Sequence, residues 1–312
     1  MKTKICLSIL LASALATSAV AQGNPEDGFE PLFNGRDLAG WEEAEGFLVE
    51  DGTILTRGAK AGDLYTQAEY GNYILRFDYM LSEMGNRGVF VRAEEGEPLE
   101  GRFEVQLLAP WTPYRDDLHC TGSLYGHVAV TSRPDESTDA WHSMEIVLDR
   151  DTVIVSVDGK AVTWAQTEHV ESLREKNLKG RIGLQGNHSD PNQWVRFKNV
   201  RLKNLDSDVG YVLRGFGRSE PQIRRTTRDA AVDLGSAVIP GLCRIMASPD
   251  PVGPAAAREA LFAIAAQASA PDYPSDSRDA MREMLAGERD RAESGEVKGY
   301  LEWLRGMLTA GD

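Results

Sequence analysis

The sequence is poor in cysteine, in basic charge and in long apolar runs. Of its three cysteines, Cys6 lies in the apolar N-terminus and only Cys120 and Cys243 follow it. Two thiols cannot build a disulfide framework, so the fold must depend on hydrophobic cores, although a single disulfide between them stays open. The 34 basic and 48 acidic side chains give a formal net charge of -14, which argues against nucleic acid and anionic membranes as partners.

The one apolar run stands at the N-terminus. Residues 5–20 are apolar or small, Lys2 and Lys4 precede them, and Ala19 to Ala21 offer small side chains at a cleavage site. Because the run is too short to span a bilayer comfortably, it predicts a signal peptide over residues 1–21 rather than an anchor. We therefore expect an exported protein, periplasmic or secreted, without membrane insertion.

Short alternating segments separated by turn signals dominate the middle of the chain. This pattern is typical of an all-β sandwich and defines a predicted domain over residues 25–206. The Asp-Gly pairs at 51–52 and 158–159 predict hairpins. The predicted strands are 47–49, 53–56, 73–81, 88–92, 103–108, 143–148, 153–157, 161–164, 181–185 and 195–202.

Beyond residue 208 the pattern changes to helical spacing and the alanine content rises. Apolar stripes over 230–245 and 257–265 predict two antiparallel helices, and 275–308 predicts two more that cap them. We interpret residues 218–312 as a small all-α domain. Its first pair resembles a HEAT-type repeat, and a packing or interaction module, with a protein partner as one option, is favoured over a second catalytic site.

Alternation within the strands separates a core side from a polar side. Residues two apart share a face, which pairs Arg76 with Asp78 and Glu104 with Gln106, and places Arg92 with Phe90. The intervening apolar residues predict the core between the sheets: Leu75, Phe77, Tyr79, Val89, Val91, Phe103, Val105 and Leu107. The pattern leaves open whether the polar side binds a ligand or is a solvated sheet face.

The string GFEPLFNGRDLAGW at residues 28–41 is the most informative motif. Asn34 and Gly35 suit a turn, Asp37 can accept backbone hydrogen bonds, and Trp41 returns to the core. As a whole, the string resembles the opening signature of the 3-keto-disaccharide hydrolase family. The resemblance implies an exported, mainly β jelly-roll sandwich of the concanavalin A-like (LamG-like) type, here followed by the all-α domain.

Later segments extend this resemblance in order across residues 28–203. NRGVFVR at 86–92, FEVQLL at 103–108 and GSLYG at 122–126 are similar to family strings, as are the segments at 141–145, 180–185 and 196–199. Three departures stand out: Arg87 where the family has a small serine, expected to place a long cation in a turn, His142 where it has asparagine, and an altered segment at 187–192.

The chemistry implied by the family requires a substrate already oxidised at C3 of one sugar. The ketone acidifies the C2 hydrogen, so that one base and one electrophile near the C3 oxygen suffice to expel the aglycone. The resemblance implies Glu104 as base, Arg92 as electrophile or hydroxyl clamp, and His188 as a further catalytic group. A divalent metal, with Glu104 and His188 as ligands, is an alternative electrophile.

Other residues are expected to contact the sugar. Gln106, Tyr125 and Gln185 are candidate hydrogen-bonding walls, Asp78 is a further contact, and Trp111 could stack on a ring. The remaining histidines, at 119, 127, 142 and 169, are interpreted as ordinary surface or hydrogen-bonded residues.

We therefore expect an enzyme that cleaves 3-keto-glycosides by hydrolysis or elimination and takes an oligosaccharide or glycoside as its substrate. The alternative is a non-catalytic, lectin-like carbohydrate-binding module with an interaction tail.

Overall fold

The computed structural model of the chain describes residues 26–57, 62–94, 103–111, 115–186 and 192–309. The predicted signal peptide and His188 lie outside the described residues. Among those that are described, no helix combines the length and apolarity needed to cross a membrane.

Two antiparallel sheets form the first domain. The strands are β1 Glu30–Pro31, β2 Phe47–Glu50, β3 Thr53–Thr56, β4 Leu64–Tyr70, β5 Tyr73–Leu81, β6 Asn86–Ala93, β7 Glu104–Leu108, β8 Trp141–Asp149, β9 Thr152–Val157, β10 Lys160–Gln166, β11 Gly180–Leu184 and β12 Val195–Asn204. The larger sheet has the order β10-β9-β8-β5-β12-β3-β2, with β1 added to β12, and the smaller sheet has the order β4-β11-β6-β7. The sequence patterns predict all of these except β1 and β4.

The core lies between the two sheets and is built by the alternation of apolar residues. Every predicted core residue, from Leu75, Phe77 and Tyr79 on β5 to Val105 and Leu107 on β7, is almost completely buried in one cluster. Burial of these aromatic and branched side chains is the main force that holds the sheets together. The prediction of the core is confirmed.

The turns at residues 34–37, 51–52 and 158–159 form as the sequence predicts. The side chain of Asn34 accepts hydrogen bonds from the backbone N–H groups of residues 36 and 37, and that of Asp37 accepts one from residue 39. Trp41 then enters the core, where its indole N–H donates to the carbonyl oxygen of Leu32 at 2.7 Å. Both predicted Asp-Gly hairpin turns have positive φ at both residues, as a tight hairpin requires.

Arg87 does not lie in an exposed turn, as the sequence suggested. Its side chain is completely buried, with Nε donating to Thr56 Oγ1 at 3.2 Å and Nη1 donating to the carbonyl oxygen of Asn86 at 2.7 Å. Burial lowers the pKa of its guanidinium to about 10. The residue falls on the core side of β6 because it alternates with Gly88.

The helical domain has six α-helices in the part of the chain that the structure describes. They are α1 Val209–Gly215, α2 Pro221–Leu234, α3 Ile239–Met246, α4 Gly253–Ala268, α5 Ser275–Arg291 and α6 Gly295–Met307. Helix α1 begins earlier in the chain than the sequence pattern suggested, and Gly235, with positive φ, ends α2 inside the stripe that the sequence presented as one helix. The resemblance to a HEAT repeat stays a prediction.

The two domains have separate cores but a common joint. Tyr211 on α1 donates its hydroxyl to Asp149 Oδ1 at 2.7 Å, and the guanidinium of Arg150 lies 4.3 Å from the Tyr211 ring centre. Cys120 is buried in the sandwich core and Cys243 in the helical core. Both thiols are free, so the possible disulfide between them is absent.

Candidate functional site

The outer face of the smaller sheet carries a polar row of residues. Because Val89, Val105 and Leu184 point into the core, their chain neighbours point outward. Gly88 lies opposite Gln106 in the register of β6 and β7, and on its other side the backbone N–H of Gln185 donates to its carbonyl oxygen at 2.9 Å. The row therefore runs from Gln185 across Gly88 to Gln106.

A segment beyond β7 extends this face by one more strand position. The backbone N–H of Tyr125 donates to the carbonyl oxygen of Glu104 at 2.9 Å. The backbone N–H of Gln106 donates to the carbonyl oxygen of Ser123 at 3.1 Å. Leu124 bridges to Val105 and is buried in the core, so Ser123 and Tyr125 point outward. Ser123 thus joins the row of Gln106, and Tyr125 joins the row of Glu104.

Gly88 leaves a gap in this face that the carboxylate of Glu104 fills. A Cβ atom at position 88 would lie 1.8 Å from Glu104 Oε1 and 2.3 Å from its Cδ. The carboxylate therefore lies over the backbone of Gly88, although Glu104 itself is paired with Phe90. Only 7% of Glu104 is exposed, so its carboxylate has little access to solvent.

Two buried polar atoms at the ends of the Gly88 row have no hydrogen-bond partner among the residues that the structure describes. They are Gln185 Oε1 at one end and Ser123 Oγ at the other. Unsatisfied buried polar atoms are costly, so each calls for an explanation, such as an ordered water, an ion or a functional contact. Hydrogen bonds from a polyhydroxylated molecule would satisfy both atoms. Ser123 is not among the residues predicted from the sequence, where its only signal is the alternation within GSLYG.

Tyr125 links this face to a second group of titratable residues. Its ring meets the imidazole of His119 edge-on with 4.8 Å between ring centres, and His119 Nδ1 lies 2.7 Å from Asp116 Oδ1. Burial raises the pKa of the Tyr125 phenol, and the charges of Glu104 and Asp116 raise it further. The phenol is therefore a neutral donor at physiological pH. His119 is not predictable as part of the site from the sequence, because its contact with Tyr125 depends on the path of the turn.

Arg92 does not belong to this site, and the prediction that it is the electrophile or clamp is wrong. It has positive φ, is only 3% exposed, and turns away from the row. Its Nε donates to the carbonyl oxygen of Gly71 at 2.9 Å, its Nη1 to that of Arg150 at 2.8 Å, and its Nη2 to Asn72 Oδ1 at 3.3 Å. The guanidinium thus ties together the two turns that border the helical domain.

The other predicted contacts fall in different places. Asp78 lies on the outer face of the larger sheet, across the core from Glu104, and accepts a hydrogen bond from Asn199 Nδ2 at 2.6 Å, so its assignment to the sugar site is wrong. Trp111 is 43% exposed and lies past the Leu108 end of β7, the end opposite Glu104. Its stacking role stays a prediction.

A metal site is not formed by the described residues. Within them, no three His, Cys, Asp or Glu side chains come together in a way that could hold an ion. The predicted ligand pair of Glu104 and His188 includes a residue outside the described ranges and stays a prediction.

Comparison with known proteins agrees with the sandwich and its site. Residues 28–203 match the model of the 3-keto-alpha-glucoside-1,2-lyase-like domain, and the chain belongs to this family of carbohydrate-active proteins. A curated relative, the 3-keto-disaccharide hydrolase of Bacteroides thetaiotaomicron, is 21% identical over 234 residues, which cover 58% of this chain and 79% of that protein.

Solved structures extend the comparison. One from Parabacteroides distasonis, provisionally assigned as a glycosyl hydrolase, is 25% identical with a TM-score of 0.50, over 57% of this chain and 94% of its own. A second from the same organism, with the same provisional assignment, is 23% identical with a TM-score of 0.51, over 57% and 99%. The fold is a concanavalin A-like jelly-roll sandwich with a C-terminal all-α domain, as predicted.

Proposed function

We propose that the protein is an exported enzyme that cleaves the glycosidic bond of 3-keto-glycosides, including 3-keto-disaccharides. The observation that carries this proposal is the nearly dry carboxylate of Glu104, which lies over Gly88 between the unpartnered polar atoms of Gln185 and Ser123. A family of 3-keto-glucoside lyases and a relative named as a 3-keto-disaccharide hydrolase supply the substrate class. Export is inferred from residues 1–21.

The reaction needs one base rather than two opposed carboxylates. Glu104 removes the C2 hydrogen, the electrons form an enolate with the C3 ketone, and the enolate expels the aglycone from C1. Addition of water across the resulting double bond completes hydrolysis, whereas release before that step is elimination. A carboxylate in a dry site suits this role because desolvation favours its protonated form.

Because Arg92 lies outside the site, another residue must act as the electrophile. The Tyr125 hydroxyl is the donor that we assign to this role, because the backbone of Tyr125 is hydrogen-bonded to that of Glu104 on the same face. Its raised pKa keeps the proton on the phenol, so it can stabilise negative charge on the C3 oxygen. Gln106, Gln185 and Ser123 would then orient the sugar hydroxyls.

The test is release of the aglycone from 3-keto-trehalose and from a 3-keto-glucoside by the protein without residues 1–21. We expect release that falls by about 10³-fold or more in Glu104→Gln, because the base is lost while the shape is kept. Glu259→Gln, an exposed change in the helical domain, is the matched control and should retain full activity. A parallel reaction with a chelator tests the divalent metal.

Two results would contradict the proposal at different points. An absence of release from every 3-keto linkage tried would overturn the function, and full activity of Glu104→Gln would overturn the role of Glu104 as the base. If plain oligosaccharides bind without turnover, as Gln185 and Ser123 would also allow, the sandwich is instead a carbohydrate-binding module. A protein partner for the helical domain stays a prediction, which deletion of that domain followed by a test of complex formation would address.

A further inference from the structure

The candidate site is buried at one end and open at the other. The row of Gln185, Gly88, Gln106 and Ser123 is almost fully buried, whereas 43% of Tyr125 is exposed. A disaccharide with its oxidised ring against the Glu104 carboxylate would therefore extend its aglycone past Tyr125 toward solvent. Any group that acts on the aglycone oxygen must lie at this open end.

His119 lies at the open end with one ring nitrogen held and the other available. Nδ1 is hydrogen-bonded to Asp116 Oδ1 at 2.7 Å, and Nε2 has no partner among the described residues. The hydrogen bond from His119 lowers the pKa of Asp116, so this carboxylate is ionised and Nδ1 carries the proton. The same carboxylate oxygen also accepts the backbone N–H of Leu118 at 2.9 Å, which fixes its orientation.

We propose that His119 is a second catalytic residue, which protonates the departing aglycone oxygen through Nε2, and that Asp116 positions its ring. The inference rests on the proposed function and assigns a step that Glu104 alone does not perform. An alkoxide is a poor leaving group, so a positioned acid should accelerate its departure by about 10²–10⁴-fold.

The reaction requires no co-reactant other than water. The C2–H bond breaks and its proton passes to Glu104; the C1–O bond breaks and the aglycone oxygen takes the Nε2 proton of the imidazolium. When water adds to the double bond, neutral His119 removes a proton from the water that attacks C1. Protonated Glu104 returns its proton to C2, so both residues regain their starting state.

Substrates that differ only in leaving group provide the test. A 4-nitrophenyl 3-keto-glucoside expels a stable anion and needs no acid, whereas 3-keto-trehalose expels an alkoxide. We expect His119→Asn to lose about 10²–10⁴-fold in kcat/KM on 3-keto-trehalose and less than about threefold on the nitrophenyl substrate. Asp116→Asn should show the same selectivity with a smaller loss. His169→Asn, a change at an exposed histidine outside the site, should alter neither rate.

The outcomes distinguish failure of the role assigned to His119 from failure of the proposed function. If the wild-type protein cleaves neither substrate, the proposed function fails. If the wild-type protein cleaves both and His119→Asn loses rate equally on the two, or on neither, His119 is not the acid. Leaving-group selectivity in Tyr125→Phe but not in His119→Asn would assign the acid to Tyr125. Should His119→Asn not fold by circular dichroism, His119→Gln and Asp116→Asn decide by the same ratio.

Discussion

One added methyl group at position 88 should stop catalysis without unfolding the sandwich. In Gly88→Ala the new Cβ would lie 1.8 Å from Oε1, 2.3 Å from Cδ and 2.4 Å from Cγ of Glu104, so the carboxylate must leave its position. Displacement of a reacting group by about 1 Å can cost about 10²-fold in rate. We expect at least this loss in kcat/KM, equivalent to about 2.7 kcal/mol of transition-state stabilisation.

The same change should alter stability little. Alanine gains about 0.5–1 kcal/mol over glycine in a strand. The Glu104 side chain loses about 0.5–1.5 kcal/mol in a strained rotamer. These effects nearly cancel, and the φ angle of Gly88 is not positive, so the backbone accepts alanine.

Aglycone release and urea unfolding on one preparation would measure both quantities. Gly299→Ala, where nothing lies within 4 Å of the new Cβ, is the control and should keep full activity. Gly88→Ala with activity within threefold of wild type would refute the assignment, because Glu104 would then act from another position or not at all.

Two further predictions concern residues outside the site. Arg92→Ala should lower the free energy of unfolding by about 3 kcal/mol, because three acceptors lose their hydrogen-bond donors and each bond is worth about 1 kcal/mol. If urea unfolding instead shows normal stability while the aglycone assay shows lost activity, Arg92 belongs to the site. Burial lowers the pKa of His142, but hydrogen bonds to Asp158 and to the Ser137 carbonyl oxygen raise it by more. The stability that charged His142 contributes is therefore full below its ordinary pKa of 6.5 and is lost as pH rises through the higher folded pKa. The difference in unfolding free energy between wild type and His142→Asn should shrink across that interval, and a constant difference would contradict this.

Alternation predicts much of the sandwich because it is a local signal. Val89 and Val105 point inward wherever their strands lie in the sheet order, so the core can be identified before the topology is known. Strand β4 escaped prediction because its sequence, LYTQAEY, has only two buried residues, Leu64 and the polar Thr66, and so offers little contrast between faces. The end of α2 at Gly235 was missed because the apolar stripe continues across it.

The site was predictable only in part, since alternation does not say which sheet a strand joins. Glu104 and Gln106 lie on β7 of the smaller sheet, and Tyr125 and Gln185 lie beside them on its outer face, whereas Asp78 shares their polarity but lies on the other sheet. The prediction for Arg92 was wrong for another reason. Its positive φ shifts the register of β6 against β11, so its side chain leaves the row that counting from Phe90 assigns to it.

The two outer faces also differ in how their polar groups are satisfied. On the larger sheet, Arg76 pairs with Glu145 at 2.7 Å and with Glu26 at 2.9 Å, and Asp78 is bonded to Asn199. These groups neutralise one another and gain little from a ligand. On the smaller sheet, buried Gln185 Oε1 and Ser123 Oγ lack partners within the described part of the chain, so a sugar hydroxyl that reached them would remove a desolvation cost already present in the free protein. Because binding there would relieve a cost, whereas binding on the larger sheet would have to break ion pairs, we expect a sugar to bind on the smaller sheet.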